Sequence, residues 1–204
     1  MRVGYFGGSF DPIHRGHVEL ARHILRAESL DKLVFLPARQ APHKKSGPGA
    51  SGSHRLMMLG LALRGETGLS IDGRELDRAG PSYTFDTMRM IKDESPDDQL
   101  FFLIGLDSLG DLNQWHRIDE LAKLVIFLVA RRPGEHRDDM EAAARENSAI
   151  RYELLETPEI QASSREIKRR LASGQPVDEY LAPSVEAYIR EHLLYDVPSS
   201  PASS

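Results

Sequence analysis

One stretch near the start of the chain restricts the fold more than any other: Val3-Gly4-Tyr5-Phe6-Gly7-Gly8-Ser9-Phe10-Asp11-Pro12-Ile13-His14-Arg15-Gly16-His17. It reads as a short apolar strand, a glycine turn, a proline-stiffened corner and two histidines entering a helix. Gly7 and Gly8 carry no Cβ, so backbone amides can approach a ligand closely and take φ > 0. Pro12 fixes its own φ and biases Asp11 towards an extended shape. From Val18 to Arg26 the apolar residues fall at 18, 20, 21, 24 and 25, which is helical spacing. His14 and His17 then share one side of the first turn, where free amides and the macrodipole attract anions. By residue type alone three readings stay open: a phosphate site, an ordinary turn with solvated imidazoles, and, on thinner grounds, a His-x-x-His metal site.

The next apolar segment, Lys32-Leu33-Val34-Phe35-Leu36-Pro37, reads as a buried strand stopped by its proline. Strand, helix, strand is the opening of a doubly wound parallel sheet, in which ligands sit beyond the carboxyl ends of the strands. An anion bound there must be met by local positive groups, because the chain has 31 acidic against 26 basic residues and a formal net charge of −5. That balance also argues against a broad nucleic-acid footprint. The absence of cysteine excludes disulfides, thiolate catalysis and Cys-ligated zinc, and fits a reducing cytoplasm. No basic and apolar leader is evident at the start, and no stretch approaches 18 apolar residues, so neither a signal peptide nor a membrane span is expected. At 204 residues the chain suits one α/β domain over 1–195, with the Ser/Pro-rich 196–204 expected to be a disordered tail.

Further along, Pro37 to Lys45 is a basic loop running into a Gly/Ser/Pro stretch, and Lys44, with Lys45 behind it, is the preferred phosphate contact. Ser53 to Leu63 reads as a helix capped by Ser53, with Leu56, Leu59, Gly60 and Leu63 on one face. Leu69 to Asp72 is a short strand, and Gly73 to Gly80 a charged connector. Ser82 or Thr84 is expected to cap a helix running to about Lys92. Gln99 to Ile104 is an apolar strand with Gly105 and Asp107 at its carboxyl end, where an ionised carboxylate suits a ribose diol. Trp115 is the sole tryptophan, and its bland reading is a core anchor. Leu124 to Ala130 is a strand buried on both faces, ended by Arg131-Arg132-Pro133-Gly134. A charged helix over Glu135 to Glu146 and a strand over Ile150 to Leu155 follow. Ser163 with Glu166 makes a capping box at the start of a basic helix. A last helix spans Pro183 to Leu194, with Val185, Ile189 and Leu193 facing inwards.

The first motif, Gly7-Gly8-Ser9-Phe10-Asp11-Pro12-Ile13-His14-Arg15-Gly16-His17, resembles the GG[ST]FDPxHxGH signature of the nucleotidyltransferase superfamily. Pro42-His43-Lys44, Ser82-Tyr83-Thr84-Phe85-Asp86-Thr87, Gly105-Leu106-Asp107, the lone Trp115, Arg132-Pro133-Gly134 and Ser163-Ser164-Arg165-Glu166-Ile167-Lys168 narrow the likeness to the bacterial nicotinate mononucleotide adenylyltransferases. Two positions depart from the last motif: Arg165 stands where the family has Thr, and Lys168 where it has Arg. Leu106 also replaces a usual Ala.

The resemblance implies a Rossmann-like nucleotidyltransferase fold with C-terminal helices. It implies that Gly7, Gly8, Ser9, Phe10, His14, His17, Gly105, Asp107, Arg132, Ser163, Ser164 and Lys168 meet ATP, with His14, His17 and Lys168 acting in catalysis. It places nicotinate mononucleotide against Lys44, Tyr83, Thr84 and Trp115. Mg²⁺ would arrive with ATP, and no protein-held metal site is expected. A homodimer is one expectation, since relatives occur as monomers and dimers. Other acceptors, nicotinamide mononucleotide or phosphopantetheine, and a non-catalytic nucleotide sensor remain alternatives. Lys168 lacks the planar fork of Arg, so the phosphate clamp is where the two departures matter.

Overall fold

The computed structural model describes residues 1–40, 49–131, 138–158 and 163–198. Its strands are β1 (Arg2–Gly8), β2 (Lys32–Pro37), β3 (Leu69–Ile71), β4 (Gln99–Gly105), β5 (Val125–Arg131) and β6 (Tyr152–Glu156). All pair in parallel, in the order β3-β2-β1-β4-β5-β6. The expected doubly wound sheet is therefore present, and its order reverses direction between β1 and β4. The helices are α1 (Arg15–Ala27), α2 (Gly52–Ala62), α3 (Arg74–Asp77), α4 (Thr84–Glu94), α5 (Leu106–Leu109), α6 (Ile118–Leu124), α7 (Asp138–Arg145), α8 (Ser164–Ala172) and α9 (Pro183–Glu191).

Period-2 alternation along each strand feeds two separate cores. Leu33 and Phe35, Phe101 and Leu103, and Leu128 point to one face, where Val18, Ala21 and Ile24 of α1 meet Met58, Ile167 and Val185. Val34 and Leu36, Leu100 and Phe102, and Phe127 and Val129 point to the other, under Phe85, Met88 and Ile91 of α4 and Leu121 of α6. Such two-sided burial is why these strands read as continuous apolar runs.

The register locates the opening in the sheet. β1 pairs with β2 as far as Gly8 opposite Pro37, but its pairing with β4 ends at Phe6 opposite Leu103. Gly7 and Gly8 therefore part company from Ile104 and Gly105, and a crevice opens between the strand ends.

Several local expectations are corrected. Gly7 and Gly8 are strand residues, and the positive φ lies at Phe10 instead (46°). Glycine is needed at 7 and 8 for space: a Cβ would come within 2.8 Å of the Phe102 ring at Gly7 and 2.9 Å of the Phe10 ring at Gly8. α2 is capped by Ser51, whose Oγ accepts from the His54 amide, and Leu56 faces solvent while Arg55 is buried. Neither Ser82 nor Thr84 caps α4, because Ser82 Oγ is turned to the Arg39 amide and Tyr83 stands at the N-cap without a side-chain bond. The connector after Gly73 contains α3. Leu193 ends up exposed, because α9 stops at Glu191 and the chain turns left-handed at Leu193 (φ 49°). Residues 194–196 then form a 3-10 turn and Val197 is buried, so the described part of the expected tail packs against the body. The expected tail's remainder, 199–204, lies outside the described residues.

Candidate active site

The crevice widens into a cleft of about 580 Å³ at the carboxyl ends of β1 and β4. Gly7, Gly8, Ser9 and Gly105 form its floor on the strand side, and Tyr83, Thr84 and Trp115 line it from the helix side. These seven residues, drawn from four separated motifs, are thus brought together. A Cβ at Gly105 would meet nothing, so the strand end there is open to a ligand.

Tyr83 and Thr84 reach the cleft because α4 begins there, with Tyr83 at its N-cap making no side-chain cap bond. The Tyr83 ring lies 4.4 Å from that of His116, tilted by 33°. Trp115 is half-buried and meets Phe102 and Phe127 edge-on, each at 6.2 Å, so it is both an anchor and a wall.

Beside the cleft the motif makes a tight corner. His14 caps α1 in an extended conformation (φ −142°), and its N–H donates to His17 Nδ1 at 3.3 Å. Accepting at Nδ1 leaves the His17 ring proton on Nε2. The two imidazoles stack at 3.6 Å, 22° from parallel. Phe6 and Phe10 wall His17 with their edges, at 5.9 and 5.2 Å. His14 is buried, its Nδ1 makes no hydrogen bond, and burial pushes its pKa from 6.5 down to about 4. At neutral pH it is an uncharged imidazole.

Asp11 is the knot of this corner. Its buried carboxylate accepts from the Gly49 and Ala50 amides at 2.8 and 3.0 Å, from Lys168 Nζ at 3.0 Å and from the Tyr195 hydroxyl at 2.8 Å. Burial alone would raise its pKa, but these four donors together outweigh that and hold it below the usual carboxylate range. Beneath it the buried Arg55 guanidinium donates to the carbonyls of Ser9, Ala38 and Ala50. Ser163 caps α8 by accepting from the Glu166 amide, and Ser164 Oγ donates to the Pro12 carbonyl at 3.0 Å. The basic helix is thereby docked on the motif. Glu166 pairs with Arg169 and Arg170, so Arg169 supplies no free fork, while Arg165 is exposed.

His14, His17, Ser164 and Lys168 therefore gather around Asp11 and Pro12, next to the cleft rather than on its wall. Phe10 is buried behind Gly8 and packs in the core. Asp107 is exposed on the first turn of α5. Lys44 and Arg132 lie outside the described residues. Among the described residues no cluster of three or more His, Asp or Glu side chains could cage a metal ion, and no helix is long and apolar enough to cross a membrane.

Four participants were not singled out from the sequence. Glu75 is buried on the cleft wall and accepts from the Thr87 hydroxyl at 2.7 Å; burial raises its pKa above the usual carboxylate value. Arg55 sits in a helix whose periodicity gave no sign of an inward-facing polar group, and Tyr195, the last residue of the expected domain, gave none either. His116 adjoins Trp115 and offered no signal beyond that adjacency.

The cytidylyltransferase-like family model matches residues 5–170. The chain is 37% identical to the nicotinate-nucleotide adenylyltransferase of Bacillus subtilis (strain 168) over 197 residues, covering 96% of this chain and 98% of that protein. It is 41% identical over 195 residues to a probable nicotinate-nucleotide adenylyltransferase of Thermomicrobium roseum, covering 95% and 91%. Among solved structures, the Plasmodium falciparum nicotinic acid mononucleotide adenylyltransferase complexed with NaAD superposes with a TM-score of 0.78 over 97% of this chain and 98% of that one; at 20% identity it speaks for the fold alone. With its signature at the parting of β1 and β4 and its relatives aligned nearly end to end, the chain belongs to the nicotinate-nucleotide adenylyltransferase family of cytidylyltransferase-like proteins.

Proposed function

We propose that this protein transfers the adenylyl group of ATP to nicotinate mononucleotide, giving nicotinate adenine dinucleotide and pyrophosphate. The observation that supports this best is the meeting, at one break in the sheet, of a stacked imidazole pair with an aromatic pocket next to a free helix start. A phosphate oxygen of the mononucleotide attacks the α-phosphorus of ATP in line. A P–O bond forms there as the bond to the β-phosphate breaks, and the electron pair leaves with pyrophosphate. The attacking group is already an anion, so no general base is called for. Catalysis is then a matter of holding two anions together and stabilising the charge that builds on the leaving group.

His14, held uncharged by burial, and His17, whose Nδ1 already accepts from the His14 amide, suit that task as donors of directed N–H groups. Gly7, Gly8 and Ser9 let the backbone approach the phosphates, and Gly105 and Asp107 suit the adenosine side. Ser163, Ser164 and Lys168 bring the α8 start towards the triphosphate, with Arg132 and Lys44 as further contacts. The ring of the mononucleotide stacks on Trp115, and its carboxylate is received by the open α4 start at Tyr83 and Thr84. Mg²⁺ would neutralise phosphate charge when bound. We place the enzyme in the cytoplasm and leave a homodimer as part of the same proposal.

The commitment of the Lys168 ammonium to Asp11 favours one second reading, a nucleotide sensor with an idle clamp. Pyrophosphate release from ATP, measured alone and with nicotinate mononucleotide, nicotinamide mononucleotide or phosphopantetheine, decides between them. Release with the nicotinate compound far above the others supports the proposal. No release with any acceptor refutes it.

A further inference from the structure

The Asp11 knot joins parts of the chain far apart in sequence, and its last member is Tyr195. Lys168 is 157 residues from Asp11 and Tyr195 is 184. Tyr195 sits in a backbone that costs the protein something: Leu193, Tyr195 and Asp196 all have left-handed φ values of 49°, 61° and 56° without being glycine. Non-glycine residues hold such conformations only where their surroundings over-determine them. Here the surroundings are the Asp11 carboxylate, the Gly49 backbone (a Cβ there would be 3.6 Å from the Tyr195 ring) and the burial of Val197 beyond. Lys168 Nζ lies 5.8 Å from the centre of the same ring. Tyr195 and Lys168 thus divide one carboxylate: the hydroxyl takes Oδ1 and the ammonium takes Oδ2.

A bolt that merely fastened the C-terminal turn would need only the ring. The hydroxyl does something further: together with the Ala50 amide on Oδ1 and the Gly49 amide on Oδ2 it sets the rotation of Asp11, and among the described residues it is the one side-chain donor on the oxygen opposite Lys168. We propose that Tyr195 is a positioning residue for adenylyl transfer, acting through Asp11 to hold the Lys168 ammonium where the triphosphate arrives. This rests on the role given above to Lys168. It makes the extreme C-terminal turn a working part of a site whose signature lies at the other end of the chain.

Tyr195→Phe tests this, because it keeps the ring and removes the hydroxyl. The wild-type protein is assayed first for nicotinate-mononucleotide-dependent pyrophosphate release. Inactivity there would refute the proposed reaction, not this inference. Loss of a hydrogen bond to a buried carboxylate predicts a kcat lowered about tenfold, with the KM for nicotinate mononucleotide changed less than about twofold. Combined with Lys168→Met, Tyr195→Phe should then cost little more than Lys168→Met alone, because both act on the same group. An unchanged kcat, losses that multiply in the double variant, or a melting temperature lowered by more than about 10 °C with kcat intact in the folded fraction would each overturn the proposal.

Discussion

The burial of His14 makes a quantitative statement about pH. The folded protein holds this imidazole neutral, with its pKa near 4, while in the unfolded chain it sits near 6.5. As the pH falls, the unfolded state takes up the proton first. His14-linked stability is therefore fully present above about pH 6.5 and is lost as the pH drops towards 4. With those two values the linkage gives a loss of about 2 kcal/mol between pH 7.5 and pH 5, approaching about 3 kcal/mol below pH 4. Every other titratable group, including the raised carboxyls of Glu75 and Glu28, is common to both proteins of a comparison at position 14. The control is therefore His14→Gln, which stays neutral throughout. Urea unfolding of both proteins, followed by the fluorescence of the single tryptophan Trp115, gives stability at pH 5, 6 and 7.5. The wild type should lose about 2 kcal/mol more than the variant over that range. Parallel curves, within about 0.5 kcal/mol, would mean that His14 charges freely in the folded state. The account of it as a neutral donor would then be wrong.

His14→Ala should remain folded at pH 7.5 yet lose turnover by about 10²–10³, the usual cost of one preorganised donor, as read by steady-state pyrophosphate release. Trp115→Ala should mainly raise the KM for nicotinate mononucleotide and leave that for ATP alone; equal losses for both would mark the indole as a structural wall between Phe102 and Phe127. Arg55→Met strands three carbonyls that the guanidinium now satisfies beneath the motif, so chemical denaturation should show a loss of about 3 kcal/mol or more.

What could be read in advance was what local pattern encodes. The apolar runs 32–37, 99–104 and 124–130 are strands because both their faces are buried, and each was placed within a residue or so of its observed bounds. The cleft residues Tyr83, Thr84 and Trp115 could be named because they stand in motifs, though no local rule says that α4 would start free of a side-chain cap. What escaped depends on partners distant in the chain. Arg55 looks like the polar face of a helix until Ser9, Ala38 and Ala50 turn their carbonyls towards it. Gly7 and Gly8 invited a turn, whereas close approach by Phe102 and Phe10 is what excludes larger residues. Lys168 was expected to wait for phosphate, and the carboxylate it meets instead lies 157 residues away.

The sheet order also divides labour along the polypeptide. The corner proposed for the triphosphate is assembled from the first motif and from α8 with the turn after α9, the two extremities of the chain. The pocket proposed for the acceptor is drawn from its interior, between α3 and α6. That interior block also carries Gly105 and Asp107, proposed for the adenosine side, so it is the short segments around Tyr83 and Trp115 whose exchange could redirect the chemistry without disturbing the adenylyl donor. Trimming the last dozen residues, remote as they look on paper, would strike at the donor half.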